Sequence, residues 1–224
     1  MTTSGTSNFN LDIDDLISEA YERCGLETRT GYDLLTARRS LNLLFADWAN
    51  RGLNLWTIEQ RQTTMVAGQF EYTLPADTVN VLSAVIRTNS GQSTQQDISI
   101  DRISRAEYLN LPDKYTQSRP AQYYVERTIS PTLYVYPAPD SSEPYIFRYY
   151  GIRRIEDVGA YTNTTDIVFR FYPCMAAGLA YYIALKKAPD RIVMLKQFYE
   201  EEFQRAAQED RDIASVYLFP DMGN

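Results

Sequence analysis

Two stretches near the start of the chain place apolar residues at helical spacing. The first follows Asp12, which can cap a helix, and its apolar stripe consists of Leu16, Ile17, Ala20, Tyr21 and Cys24. The second stripe steps by 3, 4, 3 and 4 positions through Leu34, Ala37, Leu41, Leu44 and Trp48. Gly25 can end the first helix, Thr30 can cap the second helix and Gly52 can end it. The pattern predicts a helical hairpin over residues 11–54.

From residue 55 the pattern changes to short runs of β-branched and aromatic residues, separated by Gly, Pro, Asn and Asp. Such runs cover residues 56–58, 69–74 and 79–87. The clearest pair, residues 132–136 and 145–150, predicts an antiparallel hairpin whose connection contains prolines. Large side chains occupy both faces of this pair, which predicts a sheet covered on two sides by protein or by neighbouring subunits. A short helix is predicted within residues 104–111.

The last part of the chain returns to helical spacing. Pro173 suits the first turn of a helix, and Pro189 forces a break after Ala188. Between them, the small residues Ala176, Ala177 and Gly178 would let another helix approach closely. The next helix has an apolar face of Ile192, Leu195, Phe198, Tyr199, Phe203, Ala206 and Ile213. Glu202 and Asp210 fall near that face, so each should meet an arginine or lie at a subunit contact.

These patterns predict an α+β fold with five segments. A flexible N-terminus covers residues 1–10, and the helical hairpin covers residues 11–54. An inserted antiparallel β domain covers residues 55–158, and C-terminal helices over residues 159–214 complete a helical bundle with the hairpin. Residues 215–224 form an extended C-terminal tail. The apolar part of this tail consists of Val216, Tyr217, Leu218, Phe219 and Pro220. These side chains must be covered by contact with some surface.

Composition removes many reaction classes. The 224 residues include no histidine, the usual general base and metal ligand near neutral pH. Two cysteines, Cys24 and Cys174, stand far apart without a metal or redox motif, and are interpreted as buried thiols of a reducing compartment. No P-loop, dinucleotide-binding or metalloprotease motif occurs. No apolar run is long enough for a membrane span, and the start lacks a signal-peptide pattern. Together these features predict a protein that stays in the cytoplasm or in a particle assembled there.

The charged residues offer two candidate surfaces. An acidic stripe on the first helix steps by 3, 4 and 3 positions through Asp12, Asp15, Glu19 and Glu22. Paired carboxylates can hold Mg²⁺ or do acid–base work, as in a wall-degrading hydrolase. On a first helix, however, such a stripe is more typical of a solvated or partner-facing surface, so we predict no catalytic, cofactor or metal residue. Arg38 and Arg39 are interpreted as helix or subunit contacts, in preference to a nucleic-acid site.

Tyrosine and net charge bear on assembly. The chain has 18 tyrosines, and this side chain buries a large ring while keeping a polar tip, which suits interfaces. Tyr134 and Tyr136 are therefore candidate subunit contacts. The net charge of −7 argues against tight DNA wrapping, because neutralising phosphates needs clustered Lys and Arg.

Three motifs in the β segment resemble those of a known family. Tyr72-Thr73-Leu74-Pro75-Ala76-Asp77 is similar to a Y-x-L-P-x-D motif, and Pro120-Ala121-Gln122-Tyr123 is similar to a P-x-x-Y motif. The stretch from Leu133 to Pro139 resembles an L-x-x-x-P-x-P motif followed by tyrosine. In this order, after a helical hairpin, they resemble the head-to-tail adaptors of short-tailed phages. That family is also called tail accessory factor, tail tubular protein A or packaged-DNA stabilisation protein, and the resemblance spans residues 11–215.

The resemblance implies a structural virion protein of the phage neck that is not an enzyme. It would form a homo-oligomeric ring of twelve subunits under the portal protein, prolong the DNA ejection channel and present a platform for a tail nozzle or tail tube protein. DNA would pass through without specific binding, and no cofactor or membrane would be involved. The acidic stripe would face the lumen or a neighbouring subunit, and the apolar tail would dock on the portal or a neighbour. Another tail or baseplate component is the alternative within virion proteins.

Overall fold

The computed structural model describes Gly5, Phe9 and residues 11–28, 31–51, 55–159 and 164–210. Over these residues it has five α-helices and eight strands, so the predicted α+β class is confirmed. The chain divides into two compact units. We call Met1–Trp56 with Ile155–Asn224 the helical unit, and Thr57–Arg154 the β unit. The finer division into five segments stays a prediction.

The first two helices follow the predicted apolar stripes. Helix α1 spans Ile13–Arg23 and helix α2 spans Gly31–Arg51. Asp12 takes the cap position of α1, although its side chain makes no capping hydrogen bond. Gly25 follows the helix with a φ of +68°, a left-handed conformation that glycine adopts without steric cost, so the predicted stop is confirmed. Thr30 and Gly52 lie outside the described residues.

Helix α4, Tyr172–Lys187, is buried on most of its surface and packs against α1, α2 and helix α5, Ile192–Glu209. Pro173 lies in its first turn, and the helix ends at Lys187, with Ala188 as its C-cap directly before Pro189, as predicted. A Cβ added at Gly178 would lie 2.9 Å from side-chain atoms of Leu44 and Tyr199. The predicted close helix approach at the small residues is therefore confirmed.

The inward face of α5 is narrower than predicted. Leu195, Tyr199 and Ala206 are buried, but Phe198 keeps 43% of its surface exposed, and Ile213 lies outside the described residues. The prediction for the two acidic residues near this face is confirmed. Arg205 donates to Glu202 at 2.8 Å, and Arg170 forms an ion pair with Asp210.

The β unit contains two four-stranded sheets. The first has the order β1, β8, β3, β4, formed by Ile58–Thr64, Ile146–Arg153, Thr78–Thr88 and Gln96–Ser99, and all its neighbours are antiparallel. The second has the order β2, β7, β6, β5, formed by Glu71–Thr73, Thr132–Tyr136, Gln122–Glu126 and Asp101–Arg102. Its β5–β6 pair is parallel. The predicted short helix is present as α3, Arg105–Leu109, with a capping box between Ser104 and Glu107.

The hairpin predicted between residues 132–136 and 145–150 is wrong. Strand β7 pairs with β2 and β6, whereas β8 pairs with β1 and β3 in the other sheet. The connection between β7 and β8 runs from one sheet to the other. Its backbone forms a hydrogen bond with a different segment, because the Ala138 N–H donates to the carbonyl oxygen of Thr116 at 2.9 Å. The two strands meet face to face instead, since Leu133 and Val135 share one buried core with Phe147 and Tyr149.

The two sheets thus form a sandwich with one apolar interior. Tyr123 of β6 packs edge-on against Phe147 of β8, with ring centroids 5.5 Å apart. The outer faces are less covered: Tyr134 is half-buried, and Tyr150 is 48% exposed. Cover by neighbouring subunits over those faces stays a prediction. None of the helices in the described part of the chain is long and apolar enough to cross a membrane.

Candidate interaction surfaces

The acidic stripe lies on α1, beside the buried face of that helix. Asp15 and Glu22 are exposed, and Asp12 stands at the helix start in a backbone bridge with Thr164. Glu19 accepts a hydrogen bond from Arg23 Nε at 2.7 Å. The structure therefore places three of the four predicted residues on α1 and Asp12 at its cap, but Arg23 partly neutralises their charge.

Next to this stripe is an apolar groove of about 790 Å³, which sequence reasoning missed. It lies between α1, the short 3₁₀ turn Phe169–Phe171 and the first turn of α4. Its apolar lining is Phe9, Leu11, Phe169, Tyr172, Pro173 and Ala176, and its charged lining is Asp15, Glu19, Arg23 and Arg170. Phe9 and Phe169 are 63% and 69% exposed, so large aromatic rings face solvent at its edge. The sequence crowds aromatic residues around Arg170, but that pattern does not say which helix they face.

The end of α5 is held by Arg170, one of the residues that line the groove. The Asp210 side chain is only 2% exposed, and it pairs with Arg170. Its other carboxylate oxygen accepts from Leu55 N–H at 2.9 Å. A buried carboxylate needs such partners because removing it from water is costly. Asp210 is the last described residue, so the candidate tail residues Val216, Tyr217, Leu218, Phe219 and Pro220 lie outside the described residues.

A basic surface lies on α2 and the end of α4. Arg39 is exposed and Arg38 is half-buried, and within the described ranges neither forms an ion pair. Lys186 donates to Ser40 Oγ at 2.7 Å, and burial together with the positive charge of Arg39 lowers the pKa of this lysine. The same side of α2 exposes Tyr32, Leu35 and Leu43. Apolar side chains beside cations are typical of contact surfaces.

Arg51, in contrast, is used inside the helical unit. It bonds to Asp47 at 2.8 Å and to both carboxylate oxygens of Glu200, at 2.6 and 2.9 Å. Its guanidinium also lies 5.0 Å from the centroid of the Tyr199 ring. Arg51 therefore joins α2 to α5.

Three tyrosine rings cluster on the outer face of the second sheet. Tyr134 lies 5.1 Å from Tyr108 and 5.9 Å from Tyr124, measured between ring centroids. The Lys114 ammonium lies 5.4 Å from the Tyr108 ring centroid, and burial raises the pKa of Tyr108 to about 12. Tyr136 is two residues further along β7 and shares this face. The predicted pair Tyr134 and Tyr136 thus belongs to a half-buried aromatic surface.

The cysteine thiols and the shifted carboxylates show which reactive groups the described residues offer. Cys24 and Cys174 are free and buried, and burial raises the pKa of both thiols, as expected for inert core cysteines. No group of three or more metal-ligating side chains occurs within the described ranges. Hydrogen bonds from Arg61 and Arg51 lower the pKa of Asp77 and Glu200 respectively, the opposite of the shift that an acid catalyst needs.

Comparison with known proteins gives one family. The family model described as SU10 adaptor protein matches residues 11–218. The match begins just before α1, runs through both units and extends past Asp210 to Leu218. No curated protein matches the chain.

Proposed function

Because the chain belongs to the SU10 adaptor protein family and is a structural adaptor of a phage, we propose that it forms a ring between portal and tail. In this proposal twelve copies dock under the portal protein, prolong the DNA channel and carry the nozzle or tube of the tail. The family match over residues 11–218 is the observation that supports it most directly. A structural family and inert cysteines also favour a role without catalysis.

A ring needs two different surfaces on each subunit, one for each neighbour. The acidic stripe, with Asp15 and Glu22 exposed, and the basic surface around Arg39 have opposite charge and lie on different helices. We propose that the stripe of one subunit faces Arg38 and Arg39 of the next, and that Tyr134 and Tyr136 form a second contact. Charge of this kind guides association and register more than it adds affinity.

A charge exchange tests that contact. Arg39→Glu should weaken ring formation, and Asp15→Lys should weaken it similarly, because each places like charges across the interface. Combining the two should restore the ring, as seen by mass in solution with portal present. Full assembly by both single variants would show that the stripe faces the lumen instead.

The main experiment measures mass and shape in solution with and without the portal protein. A small species that becomes a ring on contact with portal supports the proposal. If the chain bound only purified tail tubes and not portal, it would be a component of the tail or baseplate instead. Little binding of duplex DNA is expected in a filter assay at low salt, given the net charge of −7.

We assign portal docking to the tail residues Val216–Pro220. Four large apolar side chains in sequence must be covered by some surface. Deleting residues 215–224 should abolish the joining of heads to tails while leaving both units folded. Normal joining of heads to tails without these residues would show that the tail residues do not dock on the portal.

A further inference from the structure

The groove beside α1 has the properties of a site for a short apolar segment. Its volume of about 790 Å³ lies within the range of sites that enclose several apolar groups. Phe169 and Phe9 are left largely in water at its edge, although burying a phenylalanine side chain favours the folded or bound state. Arg23, Arg170, Asp15 and Glu19 give it a polar rim. An apolar centre with a polar rim is the usual form of a protein contact.

The last described residue of the chain is tied to a groove residue. Asp210 pairs with Arg170, and Arg170 lines the groove. Val216 is six residues beyond Asp210 and Phe219 is nine residues beyond it. At about 3.3 Å per extended residue, these positions reach about 20–30 Å, enough to enter a groove whose rim is in contact with Asp210.

We propose that residues Val216–Phe219 occupy this groove of their own chain before assembly, and that the portal later takes them out of it. The second half of this statement rests on the proposed function, whereas the first half does not. Tethering favours the chain's own tail over that of another copy, because a short linker holds a segment at an effective concentration of about millimolar. The stored tail would keep four apolar side chains from binding other copies before a portal is present.

A photo-reactive amino acid, benzoylphenylalanine, placed at position 219 of the full-length chain tests the proposal. Irradiation of the dilute protein should give a product of monomer mass, with cross-links to groove residues such as Tyr172 or Ala176. Cross-links to residues away from the groove would overturn the inference. So would products that form only between copies and increase with protein concentration.

A matched pair of variants separates docking from folding. Phe169→Glu changes an exposed groove residue and should lower the yield of the internal cross-link about tenfold, because it removes one phenylalanine contact. Val193→Glu makes the same kind of change at a residue that is 80% exposed on α5 and outside the groove, and should leave the yield unchanged. Equal yields in the two variants would overturn the proposed site.

Adding portal distinguishes this inference from the proposed function. If both hold, the internal cross-link falls and a cross-link to portal replaces it. A portal cross-link with no internal product at any stage would sink the groove proposal and leave the adaptor function intact. An internal cross-link that portal never reduces would retain the groove but remove the release step.

Discussion

The two units of the chain stabilise their interiors differently. The helical unit buries charge: Asp33 pairs with Lys187, and Asp210 pairs with Arg170, and these are the two buried carboxylates among the described residues. The β unit has no buried carboxylate among its described residues, and the hydroxyls of its buried Tyr72 and Tyr145 bond to nearby loops. Tyr72 Oη, for example, donates to the carbonyl oxygen of Gln69 at 2.8 Å.

The difference follows from how each unit is built. Helices that pack at their ends bring charged termini and long side chains into the contact, so ion pairs fill those positions. Strands present one face to the sandwich interior, and loops at the edges supply acceptors for aromatic hydroxyls. The helical unit should therefore be sensitive to charge, and the β unit mainly to lost volume.

The largest expected effect on stability is the loss of a fully buried aromatic side chain, and each unit contains one that can be tested. Trp48 is fully buried among Phe45, Phe171 and Phe203, and its Nε1 donates to Tyr199 Oη at 2.9 Å. Trp48→Ala should destabilise the helical unit by about 3–5 kcal/mol. Hydrogen exchange should show the loss of protection in α2, α4 and α5.

Phe147→Ala is the matched change in the β unit, since Phe147 is also fully buried. It should cost a similar free energy, about 3–5 kcal/mol, with exchange rising in β3, β7 and β8. If either variant raised exchange equally in both units, the division into two separately stabilised cores would be wrong.

The next effect is specific to the helical unit. Arg170→Met leaves the Asp210 carboxylate buried without its cation. The expected cost is about 2–3 kcal/mol, below the usual cost of breaking a buried pair, because Arg170 itself is 39% exposed. Adding Asp210→Asn should recover part of that loss, because asparagine keeps an acceptor for Leu55 N–H without the charge. The check is denaturant unfolding of all three variants; no recovery in the double variant would show that charge is not the cause.

Helix spacing in the sequence was sufficient for the helical unit, because each helix forms from local contacts. The stripes through Leu16 and Leu44, the stop at Gly25 and the partners of Glu202 and Asp210 could all be inferred. Strand pairing in the β unit depends on residues far apart in the chain. Residues 132–136 and 145–150 are close in sequence and share a core, yet alternation alone does not say whether two strands pair or stack.

Some of the interaction surfaces could likewise be predicted from the sequence, whereas others could not. The acidic stripe could be predicted from the helical period of α1 alone. The groove needed α1 to meet the first turn of α4, with about 150 residues of chain between them, and no local pattern carries that information. Only the exposed rings of Phe9 and Phe169 mark it, and exposure is a property of the folded unit.

A smaller effect tests how tightly the helices pack. Gly178→Ala adds a methyl group that would lie 2.9 Å from Leu44 and Tyr199. Overpacking should exceed the gain in helix propensity, for a net loss of about 1–2 kcal/mol in thermal or denaturant unfolding. Gly31→Ala is the control, because an added Cβ there meets no atom within 4 Å, and its stability should change little. If Gly178→Ala left the free energy of unfolding unchanged, α2 and α5 could move away from α4 without cost.

The smallest effect concerns acid. Arg51 holds the pKa of Glu200 below its ordinary value, chiefly through hydrogen bonds, so the ionised carboxylate favours the folded state. That stability is fully present above the unfolded pKa, about 4.3, and is lost as the pH falls through the lower folded pKa. Glu200→Gln should therefore cost about 0.5 kcal/mol at pH 7, a value reduced because the pair is partly in water, and progressively less as the pH falls through the folded pKa of Glu200. Glu201→Gln, on the exposed side of α5, is the control. If the two variants lost the same stability at every pH, the charge sensitivity inferred for the helical unit would not include this pair.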